Sequence, residues 1–148
     1  MSSPGDRAGP AQRGPVEAVP DETLEPEPVL PDAVRQRIVA LAATALSSLP
    51  LEELPVPLRR VAKFAPNRRA RLGGPLIAAQ LAGDSLLRQR VATQVVGAVG
   101  ELGEAVAEGV PPGAADPTEV AALAYLCRPP SWRDLIVFFT DAARTETE

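Results

Sequence analysis

The chain has 148 residues, 23% of them charged and 45% hydrophobic, with 17 prolines, one cysteine and no histidine. The missing imidazole excludes Ser-His-Asp and Cys-His catalysis and every histidine-based metal site, and a lone Cys127 excludes an internal disulfide or a multi-cysteine zinc cluster. The formal net charge is −4, and this length allows one ordinary domain or a smaller domain with tails.

Residues 1–30 hold Pro4, Pro10, Pro15, Pro20, Pro26 and Pro28, with Pro31 just beyond. Their charges are Asp6, Glu17, Asp21, Glu22, Glu25 and Glu27 against Arg7 and Arg13, so the whole net charge of −4 lies here. With no aromatic and few aliphatic side chains, such a segment cannot bury enough apolar surface to offset its ordering entropy. The composition predicts a disordered, acidic, proline-rich tail over 1–30, an all-helical domain over 31–145 and a short C-terminal tail over 146–148. No basic segment followed by an apolar one opens the chain, so a signal peptide is not expected. The longest apolar run, Ile38 to Leu46, is far short of the roughly 20 residues a membrane span needs. These features point to a cytoplasmic protein without a membrane partner.

From Pro31 the pattern turns helical. Val34, Ile38, Leu41, Ala42 and Ala45 share one helical face, and Asp32 complements the positive end of the helix dipole. Ser47-Ser48-Leu49-Pro50 ends that helix. Two short pieces are expected around Leu51–Leu54 and Leu58–Phe64, separated by Pro55 and Pro57. Pro66 and Gly73-Gly74-Pro75 then predict brief helices with a turn at the glycine pair. Asp84 or Ser85 caps a longer helix carrying Leu87, Val91, Val95 and Ala98, whose continuation toward Val106 is interrupted by Gly97, Gly100 and Gly103. Asp116-Pro117-Thr118-Glu119 is a clear start signal, with an N-cap, a proline at the first helical position and a glutamate two residues later. Val120, Leu123, Ala124 and Cys127 follow at helical spacing until Pro129-Pro130. The last helix, capped by Ser131, repeats that spacing with Leu135, Phe138, Phe139 and Ala142. The run Leu135 to Thr140 also has β propensity, but it lacks a partner strand, and the reading is an all-α fold: a small irregular bundle of five to seven short helices.

Charge is segregated in this domain. Between residues 55 and 90 stand Arg59, Arg60, Lys63, Arg68, Arg69, Arg71, Arg88 and Arg90, opposed only by Asp84. Between 91 and 127 stand Glu101, Glu104, Glu108, Asp116 and Glu119 with no basic residue. One reading is a polyanion-binding surface in which Arg59, Arg60, Lys63, Arg68, Arg69 and Arg71 contact phosphates, since guanidinium forks suit phosphate oxygens. The other is that the basic and acidic helices pair with each other or are solvated faces. Phe64 is the one aromatic in the basic stretch, so recognition there would be of the backbone rather than of bases.

Other candidates lead to structure rather than chemistry. Arg71-Leu72-Gly73-Gly74-Pro75 lacks the lysine and the serine or threonine of a phosphate-binding loop. Cys127 sits on an apolar stripe and reads as a small buried hydrophobe. Tyr125 is expected to pack with its hydroxyl at the rim. Glu101, Glu104 and Glu108 without histidine make a poor metal site. No acid–base constellation is present, so the sequence implies no catalysis, no metal and no cofactor. An alternative functional reading is a protein-interaction domain in which Trp132, Phe138 and Phe139 form an apolar docking face.

The order and spacing of several pieces resemble the N-terminal helical region of actinobacterial NYN-domain proteins, a YacP-like, PIN-related group. The pieces are Leu30-Pro31-x-x-Val34-Arg35-x-Arg37, Glu53-Leu54-Pro55-x-Pro57-Leu58-Arg59, Phe64-Ala65-Pro66-x-Arg68-Arg69-Ala70, Asp84 with Arg88 and Arg90, Ala114-Ala115-Asp116-Pro117, and Ala124-Tyr125-Leu126-x-Arg128-Pro129 with Trp132. The resemblance spans about Leu30 to Leu135. It implies RNA binding, with the nuclease chemistry of that group belonging to an NYN domain of which this sequence contains no βαβ pattern. The expectation is therefore a non-catalytic helical module that binds RNA or another polyanion.

Overall fold

The computed structural model describes residues 28–147, with side chains through Arg144; the disordered-tail expectation lies outside the described residues. Seven α-helices make up this part: α1 Asp32–Ala45, α2 Val56–Ala62, α3 Pro66–Gly83, α4 Ser85–Val99, α5 Glu101–Ala107, α6 Pro117–Cys127 and α7 Trp132–Thr147. Two single 3₁₀ turns, Leu46–Ser48 and Leu51–Glu53, join α1 to α2. The all-α expectation holds, and the Leu135–Thr140 run is helix. Helix α7 continues through Thr147, two residues past the boundary expected for the domain.

Helix α6 is the centre of the bundle, packed by α1, α4, α5 and α7. Its sequence explains that position. Val120 through Leu126 are all buried, where the sequence suggested a one-sided stripe. Ala121, Ala122 and Ala124 are small enough for neighbouring helices to close on every side, and a helix apolar all round belongs in a core. Asp116 caps it, its side chain accepting from the Thr118 N–H at 3.2 Å, with Pro117 at the first helical position. Asp84 caps α4 in the same manner, accepting from the Leu87 N–H at 3.0 Å. Gly100, at φ +84°, separates α4 from α5, because a left-handed residue there costs least as glycine.

Helix α3 departs from the sequence reading. It runs unbroken through Gly73-Gly74-Pro75, where a turn was expected. Gly73 faces α2 so closely that a Cβ would stand 2.5 Å from Val61 Cγ1. The glycine is therefore a packing requirement, and the helix survives its proline because tertiary contact outweighs local propensity. Pro75 sits on the exposed side and has no N–H to give the Arg71 carbonyl one turn back.

Helix α7 differs in phase from the reading. Trp132, Ile136 and Phe139 are its buried residues, while Phe138 is 65% exposed. Trp132 packs edge-on against Tyr125, ring centroids 6.2 Å apart, and the Arg128 guanidinium lies 4.1 Å from the Trp132 ring centroid. Tyr125 is buried. Arg128 adopts the left-handed conformation that ends α6 (φ 49°).

Candidate polyanion-binding surface

Helix α2 and the first turns of α3 carry the basic stretch. Pro57 lies in the first turn of α2 and Pro66 opens α3, so two prolines pre-set the starts of two adjacent, mutually packed helices. Leu58 and Val61 bury one side of α2. That leaves Arg59, Arg60 and Lys63 exposed on the other, with Arg68 and Arg71 exposed on α3.

The surface is not uniform. Arg59 Nε donates to the Leu54 carbonyl at 3.2 Å, which fixes its guanidinium at the junction of the 3₁₀ turn and α2. Arg68 lies over the Phe64 ring, 5.3 Å from its centroid, so the one aromatic of the basic stretch orients an arginine. Arg60, Lys63 and Arg71 have no carboxylate partner among the described residues.

Arg69 does not belong to this surface, which corrects the six-residue site expected from sequence. It is 6% exposed. Its Nη1 donates to the Ala43 carbonyl and to Ser47 Oγ, the latter at 2.7 Å. Ala43 lies in the last turn of α1, a helix with no basic residue of its own there. The guanidinium thus supplies from α3 the positive charge that a helix C-terminus favours, and desolvation holds its pKa below the ordinary arginine value. Position 69 could have been found in the sequence. Stepping back by four along the buried face of α3, from Leu81 through Ile77 and Gly73, lands on Arg69. The expected break at Pro75 hid that register.

Acidic partners fall elsewhere. Glu101, Glu104 and Glu108 are exposed on and just after α5, which packs on α4 and α6, and among the described residues no ion pair joins them to the arginine stretch. Glu119 receives Arg37 in a two-pronged contact at 2.6 and 3.1 Å instead of closing a capping box, which raises the Arg37 pKa chiefly through that hydrogen bond. Arg90 donates to the Glu53 carbonyl at 3.1 Å, with the Glu53 carboxylate 3.8 Å away. Arg88 is buried.

The aromatic docking face expected as an alternative does not assemble. Trp132 and Phe139 are each 5% exposed, and of the three residues only Phe138 meets solvent. Cys127 is half-buried, and desolvation pushes its thiol up to about 11, the opposite of a nucleophile's thiolate. Among the described residues no helix is long and apolar enough to cross a membrane.

No family model, curated protein or solved structure matches the chain. Fold and surface together define a small all-α domain with a cationic face.

Proposed function

We propose that this chain is a non-catalytic RNA- or nucleic-acid-binding module that contacts phosphates through Arg59, Arg60, Lys63, Arg68 and Arg71. The observation that carries the reading is the exposure of these five cations on two adjacent helices, away from the Glu101, Glu104 and Glu108 carboxylates. The resemblance to NYN-associated helical regions, whose quoted pieces include Arg59 and Arg68, supports the same reading. Selection is by backbone rather than by base. Phe64 is half-buried beneath Arg68 and offers no free stacking platform.

Filter binding of single-stranded and duplex RNA across a salt series tests it. Five phosphate contacts give a log–log slope of roughly −3.5 on single strands and −4.5 on duplex. Arg60→Ala with Arg71→Ala flattens that slope by about 1.5 to 2. Absence of binding at low salt, or a slope unchanged by these substitutions, sinks the reading.

A further inference from the structure

Helices α1 and α3 lie antiparallel, with Val39 against Gly74 and Ala43 against Arg69, and a groove of about 480 Å³ runs along their outer seam. Val39, Ala70, Gly74 and Ala78 line it between two arginines, Arg35 near the chain entry, held by Asp32 and the Leu30 carbonyl, and Arg71 toward the other end. The small residues leave room for an occupant. At one end the groove is continuous with a second hollow that shares Arg35, Val39 and Ala78 with it. Pro28, Val29 and Leu30 form part of the wall of that hollow, and Arg35 donates to the Leu30 carbonyl at 3.2 Å. The chain thus enters the fold at the mouth of a groove whose far end is cationic.

The residues preceding Pro28 match what the groove offers. Reading back in steps of two, an extended chain puts Pro28, Pro26, Leu24 and Glu22 on one side, three apolar groups followed by an acid. At roughly 3.3 Å per extended residue, Leu24 lies about 13 Å and Glu22 about 20 Å beyond Pro28. Along α3, at about 1.5 Å per residue, Ala70 lies about 12 Å from Ala78, and the Arg71 side chain leans further toward the helix start. A segment laid along the groove in that form would bring Pro26 to Gly74 and Ala78, Leu24 to Ala70, and Glu22 to Asn67 and the Arg71 guanidinium.

We propose that the chain's own segment Asp21–Glu27 docks in the α1/α3 groove, with Leu24 as its apolar anchor and Glu22 paired to Arg71. A second groove near the entry, lined by Val34, Val137, Thr140 and Arg144, is the poorer match, because Asp141 already satisfies Arg144 at 2.8 Å. Docking covers one edge of the arginine surface, so the segment competes with phosphate-bearing ligands; only this competition rests on the RNA-binding reading. A tether supplies an effective concentration of order 1 mM. A contact with intrinsic Kd of about 0.1 to 1 mM therefore masks the site about two- to tenfold.

The test uses the full chain carrying Cys127→Ala and Thr23→Cys with a nitroxide on position 23. Amide signals of Ala70, Arg71, Gly74 and Ala78 are expected to broaden selectively, and to recover with Leu24→Asp or Arg71→Ala. A diamagnetic arm supports this without the cysteine changes: Leu24→Asp, which alters no residue of the helices, shifts the same amides of the wild-type chain. The docking is overturned by broadening that merely decays with distance from Pro28, by broadening centred on Val137 and Thr140, or by broadening that appears only between labelled and unlabelled molecules. Titration with a single-stranded RNA oligonucleotide decides the competition: Glu22→Gln with Glu25→Gln tightens binding about two- to tenfold, and unchanged affinity overturns it. Loss of RNA binding in every variant refutes the functional reading while the broadening still decides the docking.

Discussion

Replacing Arg69 by alanine separates a structural arginine from its exposed neighbours. The side chain is 6% exposed and closes the end of α1 through Ala43 and Ser47. Removing a charged donor from buried acceptors costs about 1.5 to 3 kcal/mol, and each methylene withdrawn from the core adds about 0.8 kcal/mol. The total expected is about 4 kcal/mol, and at about 4 °C per kcal/mol for a domain of this size the midpoint falls by roughly 15 °C. Arg69→Met retains most of the buried stem and loses only the donor, so its cost is about 2 kcal/mol. Arg68→Ala and Arg71→Ala, both exposed, stay within about 0.5 kcal/mol of the wild type. Thermal unfolding followed by circular dichroism at helix wavelengths reads all four. If Arg69→Ala melts with the wild type and weakens RNA binding as much as Arg71→Ala does, Arg69 is a surface cation and the assignment is wrong.

Gly73→Ala places a Cβ 2.5 Å from Val61 Cγ1 and destabilises by about 1 to 3 kcal/mol, whereas Gly97→Ala, with open space around it in α4, stabilises by about 0.5 to 1 kcal/mol; urea unfolding that ranks them the other way contradicts the α2–α3 contact. A double-mutant cycle on Arg37→Met and Glu119→Gln measures a coupling near 1 kcal/mol for the half-exposed, two-pronged pair, and additive single effects show that the pair is not formed. The raised Cys127 pKa of about 11 leaves roughly a hundredfold less thiolate than a free cysteine has at pH 8. Alkylation by iodoacetamide is slower by about that factor in the folded chain and reaches the free-thiol rate in denaturant; an equal rate in both shows an exposed thiol.

The helix starts were legible because their chemistry is local. Asp84 and Asp116 cap with their own side chains, and Gly100 stops α4 with its own backbone. Helix α3 was not legible, because what carries it across Gly73-Gly74-Pro75 is contact with Val61, a residue of another helix. That single break also concealed the role of Arg69: a helix read as two pieces has no continuous face on which Ile77 and Leu81 point to position 69. The phase of α7 was hidden for a different reason. Leu135 through Phe139 are all apolar, so periodicity alone favours no stripe, and the choice falls to Trp132, which Tyr125 and Arg128 hold in the core.

Among the described residues no ion pair joins Arg59, Arg60, Lys63, Arg68, Arg69 or Arg71 to the acidic stretch 91–127, and the basic stretch divides by burial instead. Arg69, Arg88 and Arg90 are taken into the fold by burial or by Glu53, which leaves Arg59, Arg60, Lys63, Arg68 and Arg71 as the exposed set. The acidic total of the chain does not oppose this set by mere presence. At physiological salt the screening length is about 8 Å, so a carboxylate acts on Arg71 only from close by, whatever the chain's total charge. Under the proposed docking, Glu22 is the carboxylate that meets this condition at Arg71. The net charge of −4 therefore does not by itself decide whether the exposed arginine set can meet a polyanion.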